Sequence, residues 1–170
     1  MRAAGIKLRI KALVLDYICI SVYLIILTIV AMGIYFIVFR RIPEFTEIQS
    51  QGIAFLTTIL PITIYFSIKE SSEYFATCGK KKVGIKVKYY KNSVIGSIIR
   101  NILKFLPWQF GHMAVIRGIH KGFESPFVLV FYFLSVLLPI LYIGMVWLRP
   151  DYRHLPDLLA SSQVIIEDSE

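Results

Sequence analysis

An apolar run near the N-terminus, residues 12–39, constrains this chain more than any other feature. The run is broken only by Asp16 and a few small hydroxyl-bearing residues. A helix needs about 20 apolar residues to cross the roughly 30 Å of hydrocarbon in a bilayer. Apolar residues also make up 56% of the 170 positions, whereas soluble domains contain about 45 to 50%. Residues 12–39 are therefore predicted to form the first transmembrane helix of an integral membrane protein.

Two further apolar runs predict two more spans. The second helix covers about residues 53–69 and contains Pro61, and the last helix covers residues 127–148 and contains Pro139. Proline is tolerated in such helices because neighbouring groups satisfy the carbonyl that it leaves unpaired. The predicted fold class is an all-α membrane protein that contains these three helices, a fourth membrane-embedded helix and a short cytoplasmic β-like segment.

The fourth helix, residues 93–117, is less apolar, and its sequence leaves two arrangements open. One face carries the polar side chains of Ser93, Ser97, Arg100, Asn101 and Lys104. The rest of its surface is broadly apolar, which makes the helix amphipathic. Such a helix lies flat at the membrane surface, or it crosses the membrane with a kink at Pro107 and turns its polar stripe towards other helices.

The distribution of charge predicts how the chain is oriented in the membrane. The net charge is +8, and the basic residues concentrate before the first helix and in the basic segment 70–92, whereas the loop 43–52 contains two acids and no base. Short loops rich in Lys and Arg remain in the cytoplasm, where anionic lipid headgroups attract them. The N-terminus, the segment 70–92 and the tail 149–170 are predicted to be cytoplasmic. No groove-reading motif accompanies the bases, which excludes nucleic acid as a partner.

Two short segments have the pattern of β-strands. Residues 81–90, KKVGIKVKYY, alternate apolar side chains with polar or basic ones, the period expected of a strand. Residues 162–166, SQVII, repeat the pattern less clearly before the acidic end of the chain. An open strand edge exposes unpaired backbone groups, so the two segments are predicted to pair on the cytoplasmic side.

Charged residues inside or beside the apolar runs are the main candidates for function. Asp16 lies about one turn into the first apolar run, where a carboxylate normally pairs with a cation or takes up a proton. Arg9 lies two turns earlier on nearly the same face. Arg153 and Asp157, four positions apart in the tail, form a further pair if the C-terminus returns to the same side. Three roles remain open: a structural clamp, a relay for protons or cations through Asp16, and recognition of a partner.

The remaining polar residues give weaker candidates. His112, within an apolar stretch, either titrates near neutral pH or acts as a neutral hydrogen-bonding partner. Glu70 and Glu73, at the inner end of the second helix, are expected to be solvated, although Glu70 could reach Lys69 or the basic strand. Cys19 and Cys78 are placed neither for a metal site nor for a disulfide. The sequence contains no metal-ligand set, phosphate-binding loop or Ser-His-Asp arrangement, so neither a cofactor nor an enzymatic activity is expected.

Four motifs, taken together and in order, resemble the RDD family of small membrane proteins. They are Arg9-x-x-Ala12-x-x-x-Asp16, Ala76-Thr77-Cys78-Gly79-Lys80, Arg100-Asn101 and Arg153-His154-Leu155-Pro156-Asp157. The family is named after one arginine and two aspartates, which the resemblance places at Arg9, Asp16 and Asp157. Two departures affect local turns: Cys78 stands where an aliphatic residue is usual, and two serines after Ala160 replace the usual Gly-Thr.

The resemblance covers nearly the whole chain and implies a single RDD-type membrane domain, residues 1–170, in a multi-pass protein of the bacterial cytoplasmic membrane. It implies transport of a small ion or solute coupled to a cation or proton, as in ion antiport. The polar route would be lined by Asp16, Arg100, Asn101 and His112. Four helices enclose little space and the chain lacks inverted repeats, so transport would require a homo-oligomer. The alternative is a non-enzymatic adaptor or regulator that binds a membrane-protein partner such as a protease.

Overall fold

The computed structural model describes residues 2–72 and 75–167, so Glu73 lies outside the described residues. Helix α1 (Ile6–Ile34) continues into a wider π-helical turn, Tyr35–Phe39, and α2 (Glu47–Ala54) joins α3 (Leu60–Ser71) through a second such turn, Phe55–Ile59. The other elements are, in chain order, α4 (Cys78–Val83), β1 (Ile85–Tyr89), α5 (Ser93–Lys121), α6 (Pro126–Leu148), α7 (Leu155–Leu159) and β2 (Ser162–Ile166).

Three helical stretches of the described chain are long and apolar enough to span a membrane. They are Ile6–Phe39, Glu47–Ser71 and Pro126–Leu148, which confirms the predicted fold class. The predicted helix starts at residues 12 and 53 are wrong, because the helices begin at Ile6 and Glu47. Helix α1 begins earlier because its first residues include Lys and Arg, which are good helix formers. Helix α2 begins earlier because Thr46 forms a capping box with Gln49 at its start. Hydropathy therefore marks where a helix enters lipid, not where it begins.

Helix α5 runs along the full length of the α2–α3 stretch. Near its start, the Ser97 hydroxyl donates to the Ser67 carbonyl at 2.6 Å. Near its end, Arg117 Nη1 donates to Glu47 Oε1 at 3.0 Å. The helix continues through Pro107 to Lys121, beyond the predicted end at residue 117. It is therefore antiparallel to α2–α3 and does not lie flat across one end of the bundle.

Helix α6 packs along another side of α5, also antiparallel to it. The Tyr142 hydroxyl donates to the Leu103 carbonyl at 3.1 Å, and the rings of Phe110 and Phe131 lie 5.6 Å apart. Helix α1 packs instead against α4 and, through Ile20, against an apolar cluster that α3 and α5 share. Beyond Ile20, α1 has no buried residue, so most of its length presents apolar side chains to the surroundings.

Strands β1 and β2 pair antiparallel, with Val87 opposite Val164, as the sequence predicted. The predicted strand start at residue 81 is wrong, because residues 81–83 belong to α4. Gly84 ends that helix in the left-handed conformation, with φ of 70°, which glycine adopts without steric cost. Ala3 also bridges to Ile165. The N-terminus, the segment after α3 and the C-terminal tail therefore meet at one end of the bundle.

Candidate functional site

Six charged side chains form a continuous cluster at the end of the bundle that carries the sheet. In order of contact, with alternating charge, they are Arg9, Asp157, Arg100, Glu70, Lys80 and Asp16. The N–O distances between neighbours in this order are 3.2, 2.7, 2.5, 2.6 and 4.0 Å. Cations and carboxylates are equal in number, so this charge cluster has no net charge.

Asp157 is held in the charge cluster by the first turn of α7. Its carboxylate is fully buried, with Oδ1 accepting from Arg100 Nε at 2.7 Å and Oδ2 accepting from Arg9 Nη1 at 3.2 Å. Burial alone would raise the pKa of Asp157, but the charges of Arg100 and Arg9, together with the hydrogen bond to His154, outweigh it and hold the pKa well below its usual value. Arg153 contacts no carboxylate oxygen of Asp157, because its guanidinium donates to the backbone carbonyls of Asp157 and Ser162.

His154 borders the charge cluster at the start of α7. Its Nδ1 lies 2.9 Å from Asp157 Oδ2 and 3.3 Å from the Asp157 backbone nitrogen. The first contact is a hydrogen bond when Nδ1 carries a proton and the second when it does not. Burial lowers the pKa of His154, and this effect outweighs the attraction of Asp157. The ring is therefore neutral near pH 7 and is not a member of the charged chain.

Arg100 and Glu70 form the centre of the charge cluster. Arg100 Nη1 donates to Glu70 Oε2 at 2.5 Å, and Asn101 Nδ2 donates to the same oxygen at 3.0 Å. Glu70 has no exposed surface, so the prediction that it is solvated is wrong. Burial raises the pKa of the Tyr89 hydroxyl and the Glu70 charge raises it further, so this hydroxyl stays protonated and donates weakly to Glu70 at 3.5 Å.

Asp16 joins α1 to α4. Its Oδ2 accepts from Thr77 Oγ1 at 2.6 Å, and its Oδ1 accepts from the Gly79 backbone N–H at 2.8 Å. Lys80 Nζ lies 4.0 Å away, whereas Arg9 reaches Asp157 instead. A Cβ built on Gly79 would come within 2.3 Å of the Ala12 carbonyl oxygen. The Thr-x-Gly-Lys sequence thus gives the Asp16 carboxylate a hydroxyl donor and a nearby cation. Its glycine lets the backbone of α4 come close to α1, because it has no side chain.

The docking of α4 also brings Cys78 towards Cys19. The side chain of Cys78 interacts electrostatically with that of Cys19 on α1, and both cysteines are free. Sequence separation hid this contact, because only the folded position of α4 against α1 creates it. Across residues 2–72 and 75–167, no group of three or more His, Cys, Asp and Glu side chains could hold a metal ion.

His112 is not part of the charge cluster. It lies about 16 Å along α5 from Asn101 at 1.5 Å per residue, stacked on Trp108 with ring centres 5.9 Å apart. Its Nδ1 is buried and has no hydrogen-bond partner in the described chain. The same holds for Asn101 Oδ1, for Gln109 Oε1 on α5 and for Gln51 Oε1 on α2. Unpaired buried acceptors thus recur along α5.

A cavity of about 580 Å³ opens beside the charge cluster, between α1, α5 and α6. The side chains of acids, bases and histidine that line it are those of Arg9, Asp16, Lys80, Arg100, Lys104 and His154. Its other walls are mostly apolar or aromatic and include Phe105, Trp108 and Ile143. The cavity therefore combines a basic inner end with an apolar body.

Searches among curated proteins and among solved structures found no match to this chain. The RDD family matches residues 3–161, nearly the whole sequence. All six members of the charge cluster, including the arginine and the two aspartates from which the resemblance was drawn, lie within that match. The chain has helices long and apolar enough to span a membrane, these charges join them at one end of the bundle, and the chain belongs to the RDD family.

Proposed function

We propose that an oligomer of this chain moves protons or small cations along α5. The observation that carries this proposal is the row of buried acceptor atoms without partners at Asn101, Gln109 and His112, to which α2 adds Gln51. Buried polar atoms are nearly always hydrogen-bonded in proteins, so a set of exceptions calls for an unseen partner such as water or an ion. Oxygen acceptors and an imidazole nitrogen suit protons, hydrated protons and cations.

The members of the row are distributed between the two ends of the bundle. At the inner end, Asn101 donates to Glu70 in the charge cluster. At the outer end, Gln51 Nε2 donates to the Met113 carbonyl at 3.3 Å, close to where α5 meets the start of α2. His112 lies between these ends, and an imidazole can accept and release a proton near neutral pH. These positions support a relay that follows α5 from one end to the other.

The charge cluster supports this relay by fixing the helices. Each of its carboxylates receives two or more donors, which is the environment of a structural ion pair rather than of a group that releases and takes up charge. Replacing Asp16 would detach α4 from α1 as well as change any route. Function is therefore better tested at His112, whose side chain makes no hydrogen bond within the described chain.

The test is flux into liposomes that contain purified protein and carry a pH gradient across the membrane. His112→Phe keeps an aromatic ring against Trp108 but removes both ring nitrogens, so proton flux should fall by at least about tenfold, whereas a positioned acid or base typically contributes about a hundredfold or more. His120→Phe is the matched control, because His120 is exposed at the outer end of α5 and should leave flux unchanged. Wild-type protein that moves neither protons nor Na⁺ nor K⁺ would overturn the proposal.

A non-enzymatic adaptor is the second candidate, and the exposure of α1 favours it. The outer half of α1 has no buried residue and offers an unbroken apolar face to another transmembrane helix. That helix belongs to a second copy of the chain if the protein is a transporter, and to a partner membrane protein such as a protease if it is an adaptor. Cross-linking followed by mass determination distinguishes the two. In both cases we place the chain as a multi-pass protein of the bacterial cytoplasmic membrane.

A further inference from the structure

We infer that the cavity between α1, α5 and α6 binds an anionic phospholipid, with the phosphate at Lys104 and the acyl chains between α1 and α6. The inference concerns a different place from the row of acceptors on α5, and it does not depend on transport. It rests on an unbalanced charge, on the shape and lining of the cavity, and on its position near the basic end of the bundle.

Lys104 is the source of the unbalanced charge. Its Nζ lies 4.3 Å from the centre of the Phe66 ring and 5.2 Å from that of Phe105, and it has neither an ion pair nor a hydrogen bond among residues 2–72 and 75–167. Contact with aromatic faces offsets part of the cost of removing an ammonium from water, but it supplies no counter-charge. The other cations that line the cavity, Arg9, Lys80 and Arg100, are already neutralised within the charge cluster. Among the described residues, Lys104 is thus the lining cation without a carboxylate partner, and an anion in the cavity would supply that partner and favour the charged form of the lysine.

The cavity is built for a ligand that is mostly apolar. Its volume of about 580 Å³ is in the range of sites that hold small organic ligands. Leu13 and Tyr17 on α1 and Ile143 on α6 line it, and all three are also exposed on the outer surface. The cavity is therefore open between α1 and α6 on the side that faces lipid. A free inorganic anion would gain nothing from these apolar walls, whereas the acyl chain of a lipid would fill the space between them.

The depth of Lys104 matches that of a lipid phosphate drawn slightly inward. Tyr142, which donates to the carbonyl of Leu103, lies about 9 Å from the end of α6 at 1.5 Å per residue. The four-carbon stem of a lysine spans much of that distance towards the surface. This end of the bundle is the basic one, and anionic lipids are concentrated in the cytoplasmic leaflet. Phosphatidylglycerol, with one negative charge on its phosphodiester, has the chemistry that the cavity selects.

The experiment compares thermal unfolding of detergent-solubilised protein after addition of phosphatidylglycerol, of phosphatidylethanolamine with the same acyl chains, or of inorganic phosphate. A ligand that binds only the folded state raises the unfolding midpoint. We expect phosphatidylglycerol to raise it more than phosphatidylethanolamine does, by about 3 to 6 °C for a tenfold preference, and inorganic phosphate to have no effect. Lys104→Met should abolish the difference between the two lipids and Lys104→Arg should keep it.

Two matched variants make the result specific to the cavity. Lys11→Met removes an exposed base from the same end of the bundle and should leave the preference for phosphatidylglycerol intact. Gly111→Leu places a side chain in the cavity, where a Cβ would meet only Ser135 Cβ at 3.8 Å, and should reduce stabilisation by both lipids. Because each comparison is made within one variant, a change in intrinsic stability does not affect it. Equal effects of the two lipids on wild-type protein, a preference that survives Lys104→Met, or full stabilisation by inorganic phosphate would overturn the inference.

Discussion

Arg100 stabilises two carboxylates from different parts of the chain at the same time. Its Nη1 binds Glu70 at the end of α3 and its Nε binds Asp157 in α7. Only 3% of Arg100 is exposed, so water cannot compensate for a lost contact. The two outer cations, Arg9 and Lys80, each neutralise one of these acids only in part. The stability of the whole charge cluster therefore depends most on its central residue.

Arg100→Leu should be strongly destabilising. Removing one member of a buried ion pair leaves its partner uncompensated and costs about 3 to 5 kcal/mol. The double variant Arg100→Leu with Glu70→Leu should recover part of this loss, because it removes one stranded carboxylate together with the cation. Thermal unfolding in detergent measures both effects. Lys86→Met is the control: its pair with Glu167 lies at the surface, with 32% and 42% of the two side chains exposed, and such a pair contributes at most about 1 kcal/mol. Strictly additive losses would show that Arg100 and Glu70 act independently.

Acidification should weaken the fold in two stages. The pKa of His154 is lowered by burial, so below about pH 6.5 the unfolded chain takes up a proton that the folded chain does not, and stability falls. The pKa of Asp157 is held well below its usual value by Arg100, His154 and Arg9 against the effect of burial, so its contribution is complete above about pH 4 and is lost as pH falls further.

The unfolding midpoint measured as a function of pH tests this order. His154→Gln should flatten the curve between about pH 7 and 5 and leave the steeper loss below pH 4 in place. His120→Gln, which replaces an exposed histidine, should retain both stages. An unchanged slope between pH 7 and 5 in His154→Gln would assign the first stage to another group.

The sequence predicts some members of the charge cluster better than others. Asp16 stands in an apolar run with Arg9 two turns before it, and Arg100 and Asp157 stand in motifs, so these members are visible as candidates. Glu70 follows directly after Lys69 at a helix end, where solvated acids are common, and Lys80 is one of many lysines in its segment. The one available signal for Lys80 is its place beside Thr77 and Gly79 in a motif of the resemblance. Burial decides these roles, and burial depends on how α3, α4 and α7 pack.

At the scale of elements, α4 shows why local pattern was insufficient. Alternating apolar residues predicted one strand over residues 81–90, yet residues 81–83 are helical and only Ile85–Tyr89 forms a strand. Asp16 accepts hydrogen bonds from Thr77 and Gly79 at the start of α4, and this tertiary contact stabilises a helix of only six residues, which would be marginal alone. The pairing of β1 with β2 was predictable because each strand needed a partner.

Gly79→Ala should displace α4 from α1. The new Cβ would lie 2.3 Å from the Ala12 carbonyl oxygen and 2.8 Å from Asp16 Oδ1, contacts that require a backbone shift. Overpacking of this kind costs about 1 to 3 kcal/mol. Oxidative cross-linking of the native Cys19 and Cys78 thiols reports the docking directly, because a disulfide forms only when the two Cβ atoms are about 4 Å apart.

We expect wild-type protein to form this disulfide under mild oxidation and Gly79→Ala to form much less of it. Gly144→Ala in α6 is the matched control, since a Cβ there meets no atom within 4 Å and alanine favours the helix. This variant should cross-link like wild type and be at least as stable. Equal cross-linking in Gly79→Ala would mean that α4 tolerates the extra methyl group by a local adjustment.

At the scale of the whole molecule, hydropathy identifies three helices that are apolar enough to span the membrane, but it does not predict how the helices are arranged. The cavity exists because α6 packs against α5 while α1 packs against α4, a partition that no residue pattern encodes locally. The course of α5 is likewise decided by its contacts at both ends, Ser97 with Ser67 and Arg117 with Glu47. Together these contacts place the loop between α5 and α6 at the end of the bundle opposite the charge cluster.

The last prediction is that α5 crosses the membrane, so that the chain crosses four times with both termini in the cytoplasm. The antiparallel contacts of α5 with α2–α3 require its two ends to lie on the same two sides as theirs, and the lysines of the segment before α5 favour the cytoplasm for the inner end. Single cysteines in a background that lacks Cys19 and Cys78 test this in intact cells with a membrane-impermeant maleimide. Glu44→Cys and Glu124→Cys should be labelled from outside, whereas Lys91→Cys and Glu167→Cys should react only after the membrane is opened. Labelling of positions 91 and 124 from the same side would show that α5 does not cross, and it would place Lys104 and the cavity at a different depth.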